Sequence, residues 1–301
     1  MNMRRKLFNR RTLSSWAWGY GMILPLFIGL GVFYFYPVFK VIYDSFFTVG
    51  AFNKRSFAGL ENYRTMLTDT AMWKSLGSTF LYAAIIVPLT IILALILAEL
   101  LNTNIKGRGA FRVIYFIPTV TMSVAIAMVW RWIFNGDFGI LNAIVKLFGG
   151  EPHYWLGEER TALLCISIVS VWMGVGYNMI ILLAGIQGIP SSYYEAASLD
   201  GASKPRQFMT ITIPLVTPTL FFVLITTVIS TLQIFDVIYM MIPAKSSALG
   251  YTQSVVMYFF RNAFEYSKKG YASAIAVLLF AIIMVITAVQ MKLQKKWVNY
   301  D

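Results

Sequence analysis

The chain has 301 residues, 58% of them hydrophobic and 13% charged, with a mean hydropathy of +0.67. A water-soluble domain carries roughly 25% charged residues, so this composition excludes a soluble globular protein and fits one embedded in a membrane. The net charge of +12 then reads as basic cytoplasmic loops, because apolar runs of this length exclude a nucleic-acid-binding fold.

A helix that crosses a hydrocarbon core of about 30 Å needs about 20 mostly apolar residues. Six stretches reach that length with charges only at their edges: residues 18–39, 76–98, 111–134, 162–187, 211–235 and 270–291. The first follows Arg4, Arg5, Lys6, Arg10 and Arg11 and lacks a small-residue cleavage site, so it reads as a retained helix whose N-terminus is cytoplasmic. Six spans return the C-terminus to the same side. That topology places 13 of the 25 Lys and Arg in about 57 cytoplasmic residues and 12 in about 99 outer ones, the asymmetry a bilayer selects. Trp16, Trp18, Tyr34, Tyr36, Trp130 and Trp132 fit interfacial belts, or lipid-facing positions, near the span ends. Pro25, Pro37, Pro88, Pro118, Pro214 and Pro218 predict kinks or helix ends within the spans. The expected organisation is a basic cytoplasmic N-terminus over 1–17, one six-helix transmembrane domain over 18–292 and a cytoplasmic C-terminus over 293–301. The fold class is an all-α integral membrane protein.

Glu99, at the inner end of the second stretch, reads as a snorkelling or capping residue within reach of Lys106 or Arg108. One cysteine and one histidine exclude an internal disulfide and a cysteine-based or multi-histidine metal site, and leave Cys165 and His153 as structural residues. In the fourth stretch, SVWMGVGYNM places Ser170, Trp172, Gly174, Tyr177 and Asn178 where a polar solute needs hydrogen-bonding groups and aromatic faces.

Between the fourth and fifth stretches, 188–210 forms part of a polar segment, GIQGIPSSYYEAASLDGASKPRQFMTITIPLVTP. Pro190 with Ser191 and Ser192 marks a helix start. Tyr194 to Leu199 makes a short helix with small residues on one side. Gly201 permits the tight turn that ends it, and Ser203 to Phe208 opens a second piece that enters the membrane at Pro214. Such a unit suits a groove on a cytoplasmic partner, and a surface helix pair with no partner is equally compatible. The fifth stretch, TTVISTLQIFD, carries Thr227, Ser230, Thr231, Gln233 and Asp236. Hydroxyls in membrane helices also bond their own backbone, and Asp236 near a helix end also reads as a solvated interfacial acid.

EAASLDGASKPRQFMTITIPLVTP resembles the EAA signature of bacterial ABC importer permeases, matching at Glu195, Ala196, Ala197, Asp200, Gly201, Ala202, Phe208, Ile211, Pro214 and Pro218. FAGLENY (57–63), LNTNIKGRGAFR (101–112), FIPTVTMSVAIAMVWRWIFN (116–135), GILN (139–142) and GYASAIAVLLF (270–280) extend the likeness to the carbohydrate-importer group, the maltose-permease-like relatives. The resemblance implies a non-catalytic subunit that pairs with a second permease above two ATPase subunits, with an extracytoplasmic binding protein docked outside. ATP and Mg would be held by the ATPases and no cofactor by this chain. Residues 188–210 would be the coupling loop: Glu195 would contact the ATPase, Ala196 and Ala197 would pack closely, Gly201 would turn the chain, and Asp200, Ala202 and Phe208 would complete the element. The sugar-contacting stretches of such permeases fall on Ser170, Met173, Gly174, Tyr177, Thr227 and Thr231. Where the family has a GGP-containing loop facing the binding protein, this chain reads MMIPAKSSALGYTQ over 240–253.

The implied function is ATP-driven import of a sugar or oligosaccharide across a bacterial or archaeal plasma membrane. Glycerol 3-phosphate or another polar solute is the alternative, against which the lack of a basic cluster in the spans weighs. A stand-alone secondary transporter calls for paired repeats and intramembrane acids. An enzyme calls for a nucleophile with a base, a phosphate-binding loop or metal spacing. Neither set is in the sequence.

Overall fold

The computed structural model describes residues 10–49, 55–103 and 105–298, with side chains from Ser14 onward. Arg4, Arg5, Lys6 and Asn104, and the side chains of Arg10 and Arg11, lie outside the described residues. The chain divides into two compact units, Met1–Leu67 with Asn262–Val277, and Thr68–Arg261 with Leu278–Asp301.

In the first unit, α1 (Arg10–Leu30) passes through a wide π-turn at Gly31–Phe35 into α2 (Tyr36–Asp44). Pro37 lacks an N–H and its ring displaces the carbonyl one turn back. The chain accommodates this by a wider turn, in which the Tyr36 amide donates to Gly31 five residues away. Ser14–Asp44 forms one 31-residue apolar helical stretch with none of its most apolar window buried. A helix that is hydrophobic on all sides and unburied among the described residues belongs in lipid or against another subunit. A hairpin follows, β1 (Phe47–Val49) antiparallel to β2 (Arg55–Phe57), with Phe47 opposite Phe57. It is the one pair of strands among the described residues. At the start of α3 (Glu61–Thr68), buried Asn62 donates to the carbonyls of Ser45 (2.8 Å) and Phe47 (3.0 Å), and the Tyr63 hydroxyl meets that of Ser45 at 2.7 Å. The FAGLENY segment therefore fastens the hairpin to the end of α2.

The second unit opens with α4 (Thr70–Asn102), capped by Asp69, whose carboxylate accepts from the amides of Ala71 and Met72. It continues through α5 (Arg108–Val120), α6 (Ser123–Ile133), α7 (Ile140–Leu147) and α8 (Glu159–Gln187), then α9 (Ser191–Leu199), α10 (Lys204–Gln207), α11 (Ile213–Leu215) and α12 (Thr217–Leu232). Short helices α13 (Asp236–Met241), α14 (Leu249–Thr252) and α15 (Val255–Phe260) follow, and the long α16 (Lys269–Gln294) belongs to the first unit as far as Val277 and to the second from Leu278. The core forms where α8 runs along α4, flanked by α5 and α12. Tyr82, Ile86, Ile166, Met179, Leu182 and Ile186 fill it, and fully buried Ala94 and Ala98 let the helices approach closely.

Four helical stretches are long and apolar enough to cross a membrane: Ser14–Asp44, Thr70–Asn102, Glu159–Gln187 and Lys269–Gln294. They contain the first, second, fourth and sixth expected spans. The third and fifth are not the continuous helices expected. Arg108–Val120 and Ser123–Ile133 meet at 97°, and Lys204–Leu215 and Thr217–Leu232 at 70°. At the first break, Thr121 ends α5 by bonding Ile117 through amide and hydroxyl, with its own backbone extended. At the second, Pro214 and Pro218 bracket Val216, and a π-turn at Phe208–Thr212 precedes Pro214 just as one precedes Pro37.

Polar staples fix the connections. Asn142 of the GILN segment donates to the carbonyls of Gly136 and His153, and accepts from the His153 amide and the Trp155 indole. Residues 240–253, the departure from the family pattern, fold inward. Met241, Ile242, Ala248 and Leu249 are core residues, while Ser78 and Tyr82 of α4 donate to the carbonyls of Tyr251 and Thr252. Buried Gln253 donates to Ser75 at 2.9 Å.

Candidate functional site

Midway along α4 and α8 the second unit holds an open cavity of about 380 Å³. Two helix faces build most of it. On α8, Ser170, Met173, Gly174 and Asn178 recur at the three- and four-residue spacing of one face, and on α12 Thr227, Ser230 and Thr231 do the same. Gly174 leaves room for Thr90 of α4, which a Cβ there would meet at 3.4 Å. Gln233, just after α12, and Asp236, the first residue of α13, complete the predicted part of the lining.

Ser170 donates to Ile166, Asn178 to Gly174 and Ser230 to Thr227, all carbonyls of their own helices. Such local bonds are the ordinary use of hydroxyls and amides in an apolar helix. Thr90 and Thr227 differ: each is buried, 1% and 5% exposed, and neither hydroxyl has a partner. A buried hydroxyl left unpaired costs about 1–3 kcal/mol, and both line the cavity. A hydroxyl-bearing occupant satisfies them once the side chains over them shift, since each hydroxyl oxygen has almost no exposed surface of its own.

Two predicted residues fall elsewhere. Trp172 projects from the other side of α8, with Val175 and Gly176, into a second, apolar cavity against α4 and α5, and packs edge-on against Trp130 at 5.6 Å. Tyr177 shares the Ser170 face but sits about two turns from Ser170 toward the α9 end, half-exposed and outside the lining. The sequence reading missed Thr90, Thr119 and Ser123. Thr119 and Ser123 flank the break between α5 and α6, and the Thr119 hydroxyl donates to the Met173 carbonyl at 3.1 Å, tying that break to α8.

The second candidate element is the turn between α9 and α10. α9 begins at Ser191 behind Pro190, with no side chain capping it, so the serine cap expected there does not form. It ends in a Schellman motif: the Ala202 amide donates to Ala197 (2.9 Å) and the Gly201 amide to Ser198 (3.1 Å). Gly201 has φ +77°, the left-handed conformation this closure requires. Gln207 is 2% exposed; its amide donates to Ser198 (2.9 Å) and the Ala202 carbonyl (3.1 Å), and its oxygen accepts from Lys204 (3.2 Å). Tyr194 meets Thr212 at 2.9 Å. Burial raises its phenol above 10.0, the Thr212 bond opposes that, and the Glu99 charge adds to it. Glu99 forms no ion pair with Lys106 or Arg108 among the described residues. The cation whose field reaches it is Lys204, while the Arg108 and Arg112 guanidiniums lie against the side-chain amide of Gln187 at the end of α8.

Glu195, Ala196, Asp200 and Gly201 lie exposed on this turn, Ala197, Ala202 and Phe208 are half-buried, and Leu199 is 90% exposed. Tyr193, Ala196 and Leu199 follow one another along its outer side. The turn is rigid within and presents small and apolar groups without.

Residues 90–299 match the family described as binding-protein-dependent transport system inner membrane component. The chain is 37% identical to the probable ABC transporter permease protein YesP of Bacillus subtilis (strain 168), over 94% of this chain and 92% of that one. It is 36% identical to the trehalose/maltose transport system permease protein MalF of Thermococcus litoralis, over 91% and 92%. Among solved structures, a chain of a bacterial alginate ABC transporter in complex with alginate pentasaccharide-bound periplasmic protein superposes with a TM-score of 0.86 at 18% identity, covering 98% of each chain.

Proposed function

Since the chain belongs to the family of binding-protein-dependent transport system inner membrane components, we propose that it is the ABC importer permease through which a sugar or oligosaccharide enters the cell. The observation that carries this is the cavity midway along α4 and α8, where Thr90 and Thr227 hold buried hydroxyls without partners. A polyhydroxyl solute satisfies such groups, and an apolar one does not. The sugar-named relative supports the same class.

In this reading each bent pair is one span, giving six, with 1–17 and 293–301 on the cytoplasmic side. A second permease lies beside the chain, two ATPases beneath it, and a binding protein outside delivers the solute. Residues 188–210 couple the two ends. ATP and Mg stay on the ATPases, whose closure moves the turn held by Gly201 and Gln207. Through the π-turn and α11 that motion reaches α12, which lines the cavity. Glu195, Ala196, Ala197, Asp200, Gly201, Ala202 and Phe208 form the ATPase-facing element. Ser170, Met173, Gly174, Asn178, Thr227, Ser230, Thr231 and Gln233 line the solute path, with Tyr177 beside its α8 wall.

The test begins with purification of the tagged chain from native membranes in mild detergent and identification of the copurifying proteins. The whole complex is then placed in proteoliposomes, and uptake of a labelled sugar panel is measured with and without ATP inside. ATP-dependent uptake of one sugar together with recovered ATPase and permease partners is the expected result. The chain recovered alone, moving solute without ATP, overturns it.

A further inference from the structure

The cavity is uneven in charge. Among the described residues no Lys, Arg or His lines it, and its one ionisable lining residue is Asp236. That carboxylate is exposed, and its contact is a long one, 3.5 Å from the Ser123 hydroxyl. The rest of the wall is hydroxyl, amide or apolar side chains together with Gly174, which supply no compensating charge. The carboxylate is solvent-exposed at the wall of an open cavity, so salt screens its field beyond about 8 Å, a distance that still reaches across a space of about 380 Å³. An anion entering would meet repulsion and no cation. An uncharged polyhydroxyl solute would meet hydroxyl partners, and a cationic one the carboxylate as well.

We infer that Asp236 makes this cavity anion-rejecting, so that the solute class is an uncharged or amino-bearing sugar and not a phosphorylated or uronic one. This rests on the cavity being the solute path. Asp236 is then a specificity determinant: it sets which charge the path admits while Thr90 and Thr227 bind hydroxyls.

The test reads the field without knowing the solute. Ser230, a cavity-lining residue close to Asp236 in sequence, is replaced by cysteine in a chain whose native Cys165 is serine. The complete transporter is labelled in membranes with trimethylammonioethyl, sulfonatoethyl and methyl methanethiosulfonate, and modification is followed on this chain by mass. The cationic-to-anionic rate ratio, normalised to that for a free thiol, is expected to fall by about tenfold when Asp236→Asn is added, the size of one nearby charge at an intermediate effective dielectric. Added salt should narrow the ratio, Asp236→Glu should preserve it, and the neutral reagent's rate should stay unchanged, which excludes misfolding of the Asn variant. A ratio that Asp236→Asn leaves unmoved overturns the inference while the sugar-permease reading stands. A neutral reagent that never reaches Cys at 230 overturns the path assignment, and the inference with it.

Discussion

The cavity and the turn below it treat their buried polar groups in opposite ways. In the turn, Gln207 uses both ends of its amide, Ser198 accepts from Gln207 and donates to Tyr194, and Tyr194 pairs with Thr212. In the cavity, Thr90 and Thr227 are as deeply buried and have nothing to bond. A satisfied network fixes one geometry, whereas an unsatisfied hydroxyl is a standing cost that a ligand can relieve. The turn is built to transmit a displacement and the cavity to receive a solute. Substitutions should therefore separate the two, with loss of shape at one end and loss of affinity at the other.

The largest effect is expected at Gly201. No atom lies within 4 Å of a Cβ added there, so the penalty for Gly201→Asp comes from backbone strain at φ +77°, about 1–2 kcal/mol, and from a charge on the ATPase-facing surface. ATP-driven uptake in proteoliposomes should fall to background while the chain still inserts and purifies. Uptake at wild-type rate would show that the turn does not couple.

Next comes the cavity. Thr90→Val and Thr227→Val each remove an unpaired hydroxyl, so the folded chain should be no less stable. Each should raise the KM for uptake about tenfold if one solute hydrogen bond is lost, since about 1.4 kcal/mol is a factor of ten. A fall in thermal stability with KM unchanged would turn the two threonines into packing residues.

How far these features were legible in the sequence follows from the range of the forces that made them. Four long helices needed only local hydropathy. The polar faces of α8 and α12 were visible because their residues recur at helical spacing. The tight turn was legible because Gly201 follows a short helical run and the left-handed residue comes where the run stops. The breaks in the third and fifth spans were not legible: Pro118 and Pro214 announce a disturbance, but a 97° turn also needs Thr119 to find the Met173 carbonyl on another helix. Thr90, Thr119 and Ser123 were missed because each is a lone hydroxyl in an apolar run, brought to the cavity by tertiary packing. Trp172 was misplaced by its chemistry, since an aromatic beside a polar face still points where its own position on the helix sends it. Gln207 gave no signal: between Arg206 and Phe208 it reads as surface, and burial comes from the turn folding over it.

Gln207→Leu tests that burial. It keeps volume but leaves Ser198 and the Ala202 carbonyl without their donor, a loss of about 1–3 kcal/mol. Hydrogen exchange over 197–207 should accelerate about tenfold or more, because about 1.4 kcal/mol of lost protection is a factor of ten. Uptake should fall several-fold, with KM unchanged. A KM change instead would place the defect in the cavity and erase the division between the two regions.

The smallest effect, and the sharpest, is expected from Tyr194→Phe. It deletes one hydroxyl and leaves the ring. The Thr212 hydroxyl loses its partner, so the cost should be about 0.5–1.5 kcal/mol, read as a modest fall in thermal stability with uptake nearly intact. The wild-type phenol is raised above 10.0, chiefly by burial, so the folded state holds its proton to a higher pH than the unfolded chain does. Its contribution is therefore fully present below pH 10 and is lost as pH rises beyond it, because the unfolded state ionises first. Thermal stability of the wild type should thus decline more steeply than that of Tyr194→Phe above pH 10. Parallel curves there would mean that Tyr194 is solvated and that the turn is held by Gly201 and Gln207 alone.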